Sequence, residues 1–276
     1  MSFTKMNGRV FMVTGATDGI GKHTARRLAQ AGATVLLHGR NPEKLRKTLA
    51  EIRDETGNES LETYTADLAS LEQVRDLAAA VRARHQRLDV LINNAGVYQP
   101  QPAESVDGHE MTFAVNVLAP FLLTACLLDL VRAGRQPRIV HVSSISHLRC
   151  ERIDFDDLHL REVYGDGRPA YALSKLCEIM YTYRMARLLE RDGVTVNCLD
   201  PGTVNTNMLL QAWGPIGIPV DQANFQFRLA TDPQLAGVTG KYFVDDKDTR
   251  SSEISYNEDL QAKLWDVLVD LTGAKF

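Results

Sequence analysis

Short apolar runs rich in β-branched residues alternate along this chain with stretches of helical period, and no other feature constrains the fold as much. The runs fall at residues 10–14, 34–37, 62–66, 90–93, 138–142, 194–199 and 241–244. Helical patterns lie between them at 20–31, 42–55, 71–85, 108–132 and 171–191, with a final amphipathic stretch at 257–271. A βαβ series of this kind predicts an α/β fold. Runs such as Ile139-Val140-His141-Val142 read as buried on both faces. They imply a doubly wound parallel sheet of about seven strands with helices on either side. The 276 residues carry no repeat, low-complexity tract or Pro/Ser-rich linker, so one domain over 1–276 is expected. Two segments stand outside the alternation: the charged 146–169, and 207–227, where Gly214, Pro215, Gly217 and Pro219 interrupt an apolar stretch. Loops this long in a compact domain commonly serve binding.

Composition excludes several function classes. Lys and Arg number 31 against 35 Asp and Glu, a net charge of -4 with the signs interspersed, so neither nucleic acid nor an anionic membrane surface is an expected partner. Cys126, Cys150, Cys177 and Cys198 have no Cys-x-x-Cys spacing, which argues against zinc and a disulfide framework, and for a reducing, cytoplasmic location. The polar residues 1–9 run into the first strand, so no signal peptide or N-terminal anchor is expected. Residues 113–131 are broken by Asn116, Pro120 and Asp129 and read as a core helix rather than a membrane span. Asp154, Asp156 and Asp157 lack the pattern of an oxygen-ligand loop, so no metal is expected.

Directly after the first strand comes Thr14-Gly15-Ala16-Thr17-Asp18-Gly19-Ile20-Gly21, and then a helical pattern. Glycines there let the backbone turn tightly and approach a pyrophosphate, which the free N–H groups and dipole of a helix N-terminus hold. Gly15, Thr17, Asp18, Gly19, Ile20 and Gly21 are thus candidate cofactor contacts. Farther along, Tyr171 and Lys175 stand four apart in a helical stretch and share a face. Bringing a phenol from its usual pKa near 10 to about 7 takes roughly 4 kcal/mol. One cation about 4 Å away at an effective dielectric near 20 supplies about that much. The pair can act as a general acid/base on a carbonyl or alcohol.

The glycine spacing is Gly-x-x-x-Gly-x-Gly, and with it the chain resembles the short-chain dehydrogenase/reductase family. Asn93-Asn94-Ala95-Gly96, Asn116, Ser143-Ser144, Tyr171-x-x-x-Lys175 and Pro201-Gly202 follow in family order. The resemblance implies a Rossmann fold and hydride transfer. It also implies that Ser144 hydrogen-bonds the substrate oxygen, with Ser143 as its rival, and that Tyr171 moves the proton. Lys175 would lower the tyrosine pKa and bind the nicotinamide ribose, and Asn116 would hold a water linked to Lys175. Asp67 and Leu68 match the adenine-contacting pair. Asn94, Ala95, Gly96, Pro201, Gly202, Val204 and Thr206 complete the expected cofactor contacts. Asp200 departs from the histidine often found before that turn. At the end of the second strand, Gly39 stands where an NAD enzyme places an acid, and Arg40 follows. The expected cofactor is therefore NADP(H), the alternative role for Arg40 being an ion pair with Glu43.

Ser144 and Tyr171 are 27 positions apart, an insertion that resembles the branch holding retinol dehydrogenases and light-dependent protochlorophyllide reductases. Lys241-Tyr242-Phe243 and Lys263-Leu264-Trp265 add to that likeness. Segment 207–227, with Met208, Leu209, Leu210, Trp213, Ile216, Ile218, Phe225 and Phe227, predicts either a lid over an apolar substrate or a packing surface. The expected activity is an NADP(H)-dependent carbonyl reductase or alcohol dehydrogenase acting on an apolar aldehyde, ketone, retinoid-like or sterol-like molecule. The alternatives are a double-bond reductase and a non-catalytic NADP(H)-binding regulator. Membrane retinol dehydrogenases usually carry an N-terminal anchor, so a retinoid is not the first expectation. Family members often dimerise through the helices that begin near Gly108 and Tyr171, so a homodimer is considered.

Overall fold

The computed structural model describes residues 5–276; of the polar start at 1–9, residues 1–4 lie outside it. Among the described residues, eight strands form one sheet in the order β3-β2-β1-β4-β5-β6-β7-β8. They are β1 (Val10–Val13), β2 (Thr34–Gly39), β3 (Leu61–Thr65), β4 (Val90–Asn93), β5 (Arg138–Val142), β6 (Thr195–Asp200), β7 (Tyr242–Val244) and β8 (Lys247–Asp248). All pairings are parallel except β7 with β8. The eighth strand was not expected, because two exposed polar residues carry no strand pattern. Its turn uses Asp245 and Asp246 at φ 46° and 67°, a conformation that suits a tight hairpin.

The helices are α1 (Gly19–Gln30), α2 (Pro42–Thr56), α3 (Leu71–Arg84), α4 (Met111–Phe113), α5 (Ala119–Arg132), α6 (Arg168–Leu189), α7 (Asn207–Ala212), α8 (Phe225–Thr231) and α9 (Glu258–Thr272). Their ends follow from local chemistry. In α2, the Asn41 side chain accepts from the N–H groups of Glu43 and Lys44 at 2.9 and 3.0 Å, Pro42 opens the first turn, and Gly57 closes the helix at φ 67°.

Alternate strand residues face opposite layers. Met12, Leu36, Leu91, Ile139 and Val196 pack with α3, α5, α6 and α9, whereas Phe11, Val13, Val35, Ile92 and Val140 pack with α1, α2 and α8. Each fully buried leucine contributes about 2 kcal/mol of hydrophobic stabilisation. The stretch Met111–Arg132 is long and apolar enough to cross a membrane, but 83% of its most apolar window is buried within this fold. Helix α9 lies against α6, and the Trp265 ring meets Phe121 of α5 at 4.9 Å.

The strand order reverses between β1 and β4, where successive helices pass to opposite faces and leave a crevice beyond the carboxyl ends of the strands. All the segments bearing the sequence motifs converge on that edge.

Candidate functional site

A cleft of about 510 Å³ opens at this switch point. Its cofactor end is built by missing side chains. Gly15 and Gly19 hold φ values of 67° and 51°. A Cβ on Gly21 would lie 2.3 Å from the Gly15 carbonyl oxygen and 2.4 Å from Asn94 Nδ2. No other residue fits, so α1 starts hard against the turn and its free N–H groups face the cleft. Asn94 fixes this turn: its backbone N–H reaches Thr14 Oγ1 at 2.9 Å, and its side chain donates to the Thr14 carbonyl at 2.7 Å. Such a cradle fits a dinucleotide pyrophosphate.

His38, not singled out from the sequence, is a strut beneath the turn. The Gly15 N–H donates to its Nδ1 at 3.3 Å, and Nε2 lies 3.1 Å from the Ala66 carbonyl, which assigns the proton to Nε2. Burial holds its pKa down at about 4, so the ring stays neutral. Arg40 is exposed at the cleft rim, and no ion pair with Glu43 forms among the described residues. Thr17 does not line the cleft. Its methyl sits 2.7 Å from where a Cβ on Gly39 would be, so a side chain at position 39 would have to displace Thr17.

At the other end, Ser144, Tyr171 and Lys175 share the cleft with Pro201, Gly202, Val204 and Thr206. The two serines separate by partner. Ser143 is buried and donates its hydroxyl to the Lys175 carbonyl at 2.8 Å, whereas Ser144 turns toward Tyr171 and caps a short turn through Ser146 N–H at 3.1 Å. Asp200 holds the same loop from below, accepting from Ile145 N–H at 2.8 Å and from Gly202 N–H at 2.6 Å.

Asn116 is fully buried and outside the cleft wall. It lies in a single π turn, Ala114–Leu118, between α4 and α5. Its carboxamide accepts from Val97 N–H at 2.8 Å and donates to the Val97 carbonyl and to Ser174 Oγ, each at 3.0 Å. The side chain therefore staples the segment after β4 to α6, with both of its amide hydrogens engaged.

Lys175 is almost fully buried. Its Nζ donates to the Val142 carbonyl at 2.8 Å, lies 2.8 Å from Glu178 Oε2, and stands 5.5 Å from the centre of the Tyr171 ring. Burial raises the tyrosine pKa above its ordinary value, Lys175 pulls it back down, and Glu178 adds to the rise. The lysine charge is shared with a carboxylate that the sequence reading missed. Its signal was present in the spacing, because 171, 175 and 178 follow one helical face.

Aromatic side chains gather beside Tyr171. Tyr98, also missed, sits with its ring 6.0 Å from Tyr171 and 5.0 Å from Trp213, and its hydroxyl donates to the Asp166 carbonyl at 2.6 Å. Tyr164 reaches the Gln99 carbonyl at 2.9 Å and Glu110 Oε1 at 3.0 Å. The 146–169 insertion is thereby a tied wall. In 207–227 the expected lid divides: Met208, Leu209, Trp213 and Ile216 line the cleft, while Phe225 and Phe227 join α8 and the core. Asn207 Nδ2 donates to Asp18 Oδ2 at 2.6 Å, joining this segment to the glycine-rich turn.

A family profile described as short chain dehydrogenase matches residues 9–151. Human polyprenol dehydrogenase is 38% identical over 96% of this chain and 85% of its own length. The chain belongs to the short-chain dehydrogenase family. Human retinol dehydrogenase 13 is 36% identical over the same shares. Among solved structures, a chain described as a short-chain dehydrogenase from Escherichia coli CFT073, complexed with NADPH, matches with a TM-score of 0.73 and 30% identity over 87% of this chain and 97% of its own. This is an oxidoreductase family, and every sequence-predicted site residue except Thr17 and Asn116 lines the one cleft.

Proposed function

We propose that this protein is an NADP(H)-dependent oxidoreductase, built as one domain, that interconverts the carbonyl and alcohol forms of an apolar small molecule. The observation that carries the reading is the continuity of the cleft from Arg40 and the glycine-rich turn to Ser144 and Tyr171, and on to the apolar wall around Trp213. The nicotinamide, when bound, supplies or accepts the hydride.

The chain's own residues do the rest. Gly15, Asp18, Gly19, Ile20 and Gly21 present backbone to the pyrophosphate, with Thr206 beside them, and Thr17 shapes the turn. Arg40 offers a planar fork to a 2'-phosphate. Asp67 and Leu68 flank the adenine, and Asn94, Ala95, Gly96, Pro201, Gly202 and Val204 shape the path to the nicotinamide. Ser144 donates to the substrate oxygen, where negative charge grows during reduction. Tyr171 gives that oxygen its proton in reduction and takes it back in oxidation. Lys175 supports the phenolate and binds the ribose, while Asn116 positions Val97 and Ser174.

The names of the human relatives, a polyprenol and a retinol dehydrogenase, support an apolar alcohol or aldehyde, retinoid-like or sterol-like in character. The NADPH complex of the Escherichia coli chain supports the phosphorylated cofactor. Four free thiols accord with a cytoplasmic setting. The test is turnover of a panel of carbonyls and alcohols with NADPH and NADP+, in the wild type and in Tyr171→Phe. Turnover of apolar aldehydes, lost in the variant by about a hundredfold or more, supports the reading. NADPH binding without turnover of any panel member, or full activity in Tyr171→Phe, would sink it.

A further inference from the structure

We propose that Glu178 is a positioning residue that competes with Tyr171 for the single Lys175 ammonium and so sets the charge state in which Tyr171 works. The inference deepens the proposed function and rests on its reading of Tyr171 as the acid/base.

Geometry carries it. Tyr171, Lys175 and Glu178 follow one face of α6, and both the lysine and the glutamate are buried, at 4% and 1% exposure. Lys175 Nζ touches Glu178 Oε2 at 2.8 Å, and among the described residues it is the only cation paired with that carboxyl. The groups around the pair do not neutralise it. On α6 itself, burial pushes the Cys177 thiol and the Tyr181 phenol up, so both stay protonated. From β6, Cys198 is likewise protonated, and Asp200 faces Tyr171 and Lys175 with its carboxylate already held by two backbone N–H groups. From β5, burial, with Lys175 adding to it, holds His141 down at about 3, so the ring is neutral.

One buried ammonium thus faces two acids on its own helix. In a medium of low polarity, the favourable charge state pairs that ammonium with one anion and leaves the other acid protonated. With Glu178 ionised, Tyr171 keeps its proton. With Glu178 protonated, the lysine charge is free to meet the phenolate that remains after Tyr171 gives its proton to the substrate oxygen. Burial, partly offset by Lys175, pushes Glu178 up to about 7, within the range where this exchange can operate.

The experiment is a titration of Tyr171 that needs neither cofactor nor substrate. Ultraviolet phenolate absorbance is followed against pH for the protein and its Tyr171→Phe counterpart, and the difference between them isolates Tyr171. The same pair is then measured with Glu178→Gln, which keeps the shape and cannot ionise. The expected result is a Tyr171 titration moved down by about one pH unit or more. The acidic limb of kcat/KM for alcohol oxidation should move with it. A titration unmoved, or moved upward, would overturn the proposal, as would a uniform fall in kcat with an unshifted pH profile. Should Glu178→Gln not fold, Glu178→Asp withdraws the carboxylate by one methylene, and the titration must move the same way by less. A shift without wild-type turnover of any panel member supports the charge sharing and overturns the oxidoreductase reading. Turnover without a shift does the reverse.

Discussion

The Asp200 carboxylate accepts the backbone N–H of Ile145 at 2.8 Å and so ties the end of β6 to the loop that carries Ser144. Its other oxygen accepts from Gly202 N–H at 2.6 Å, so one side chain sets the spacing between the serine loop and the Pro201-Gly202 turn. His147 holds the same loop from the other side, donating from Nδ1 to the Ser144 carbonyl at 2.8 Å.

Asp200→Ala leaves two inward-facing N–H groups without acceptors, a loss of about 1–3 kcal/mol for each that stays dry. Unfolding in urea should show that loss. The kcat should fall about tenfold, because Ser144 then wanders relative to Tyr171. Asp200→Asn retains one acceptor and should fall between. A kcat within about twofold of wild type in Asp200→Ala would show that the loop does not depend on the strut.

Arg40 stands at the cleft rim without an ion pair to Glu43, which leaves its guanidinium available to a phosphate. Replacing it by Ala should raise the KM for NADPH by about tenfold or more while changing that for NADH by little. Initial rates with both cofactors measure this. An equal change for the two, or none, would remove Arg40 from the 2'-phosphate role.

Much of this architecture was legible in the residues, and the reason differs by element. The central strands announce themselves because burial on both faces makes them largely apolar, as in Val10–Val13 and Val90–Asn93, whereas edge strand β3 is half-buried and shows only through its β-branched and aromatic residues. The glycine-rich turn is legible because Gly21 tolerates no Cβ. Glu178 apart, what escaped are single side chains whose meaning depends on distant partners. His38 matters through Gly15 and Ala66, Tyr98 through Asp166 and Trp213, and none of these pairs is local in sequence. Segment 207–227 left two readings open for another reason. Its apolar residues serve two surfaces, the cleft for Trp213 and the core for Phe227, and composition does not say which.

Dimerisation through the α5 and α6 faces was a natural expectation, yet the chain's own C-terminus covers part of them. Phe121 of α5 meets Trp265 at 4.9 Å and Phe276 at 4.8 Å, and Trp265 meets Phe276 at 4.5 Å. Sedimentation at micromolar concentration should therefore give the mass of a monomer. Trp265→Ala should cost about 3 kcal/mol or more of stability by opening a cavity under α9. A stable dimer whose interface crosses Phe121 while α9 stays docked would contradict this arrangement.

Acid should weaken the fold before the exposed carboxylates titrate. Burial holds His38 at about 4 and His141 at about 3, against about 6.5 in an unfolded chain. Below pH 6.5 the unfolded state therefore takes up protons that the native state refuses, and the stability these two rings contribute above that pH is lost as pH falls toward 4 and 3. Each contributes about 1.4 kcal/mol per pH unit inside its window. Glu178 acts with the opposite sign. Its carboxyl, at about 7 in the fold, binds a proton there more readily than in the unfolded chain, so native stability gains from it as pH falls from 7 to about 4.5. Burial also holds His23, His147 and His159 down, so they add to the loss, and a net fall in stability is expected between pH 6.5 and 4.5. Urea midpoints measured across that interval should fall, and Glu178→Gln should steepen the fall by about 1.4 kcal/mol per unit by removing the opposing term. Equal slopes in the two proteins would mean that Glu178 binds no extra proton in the native state.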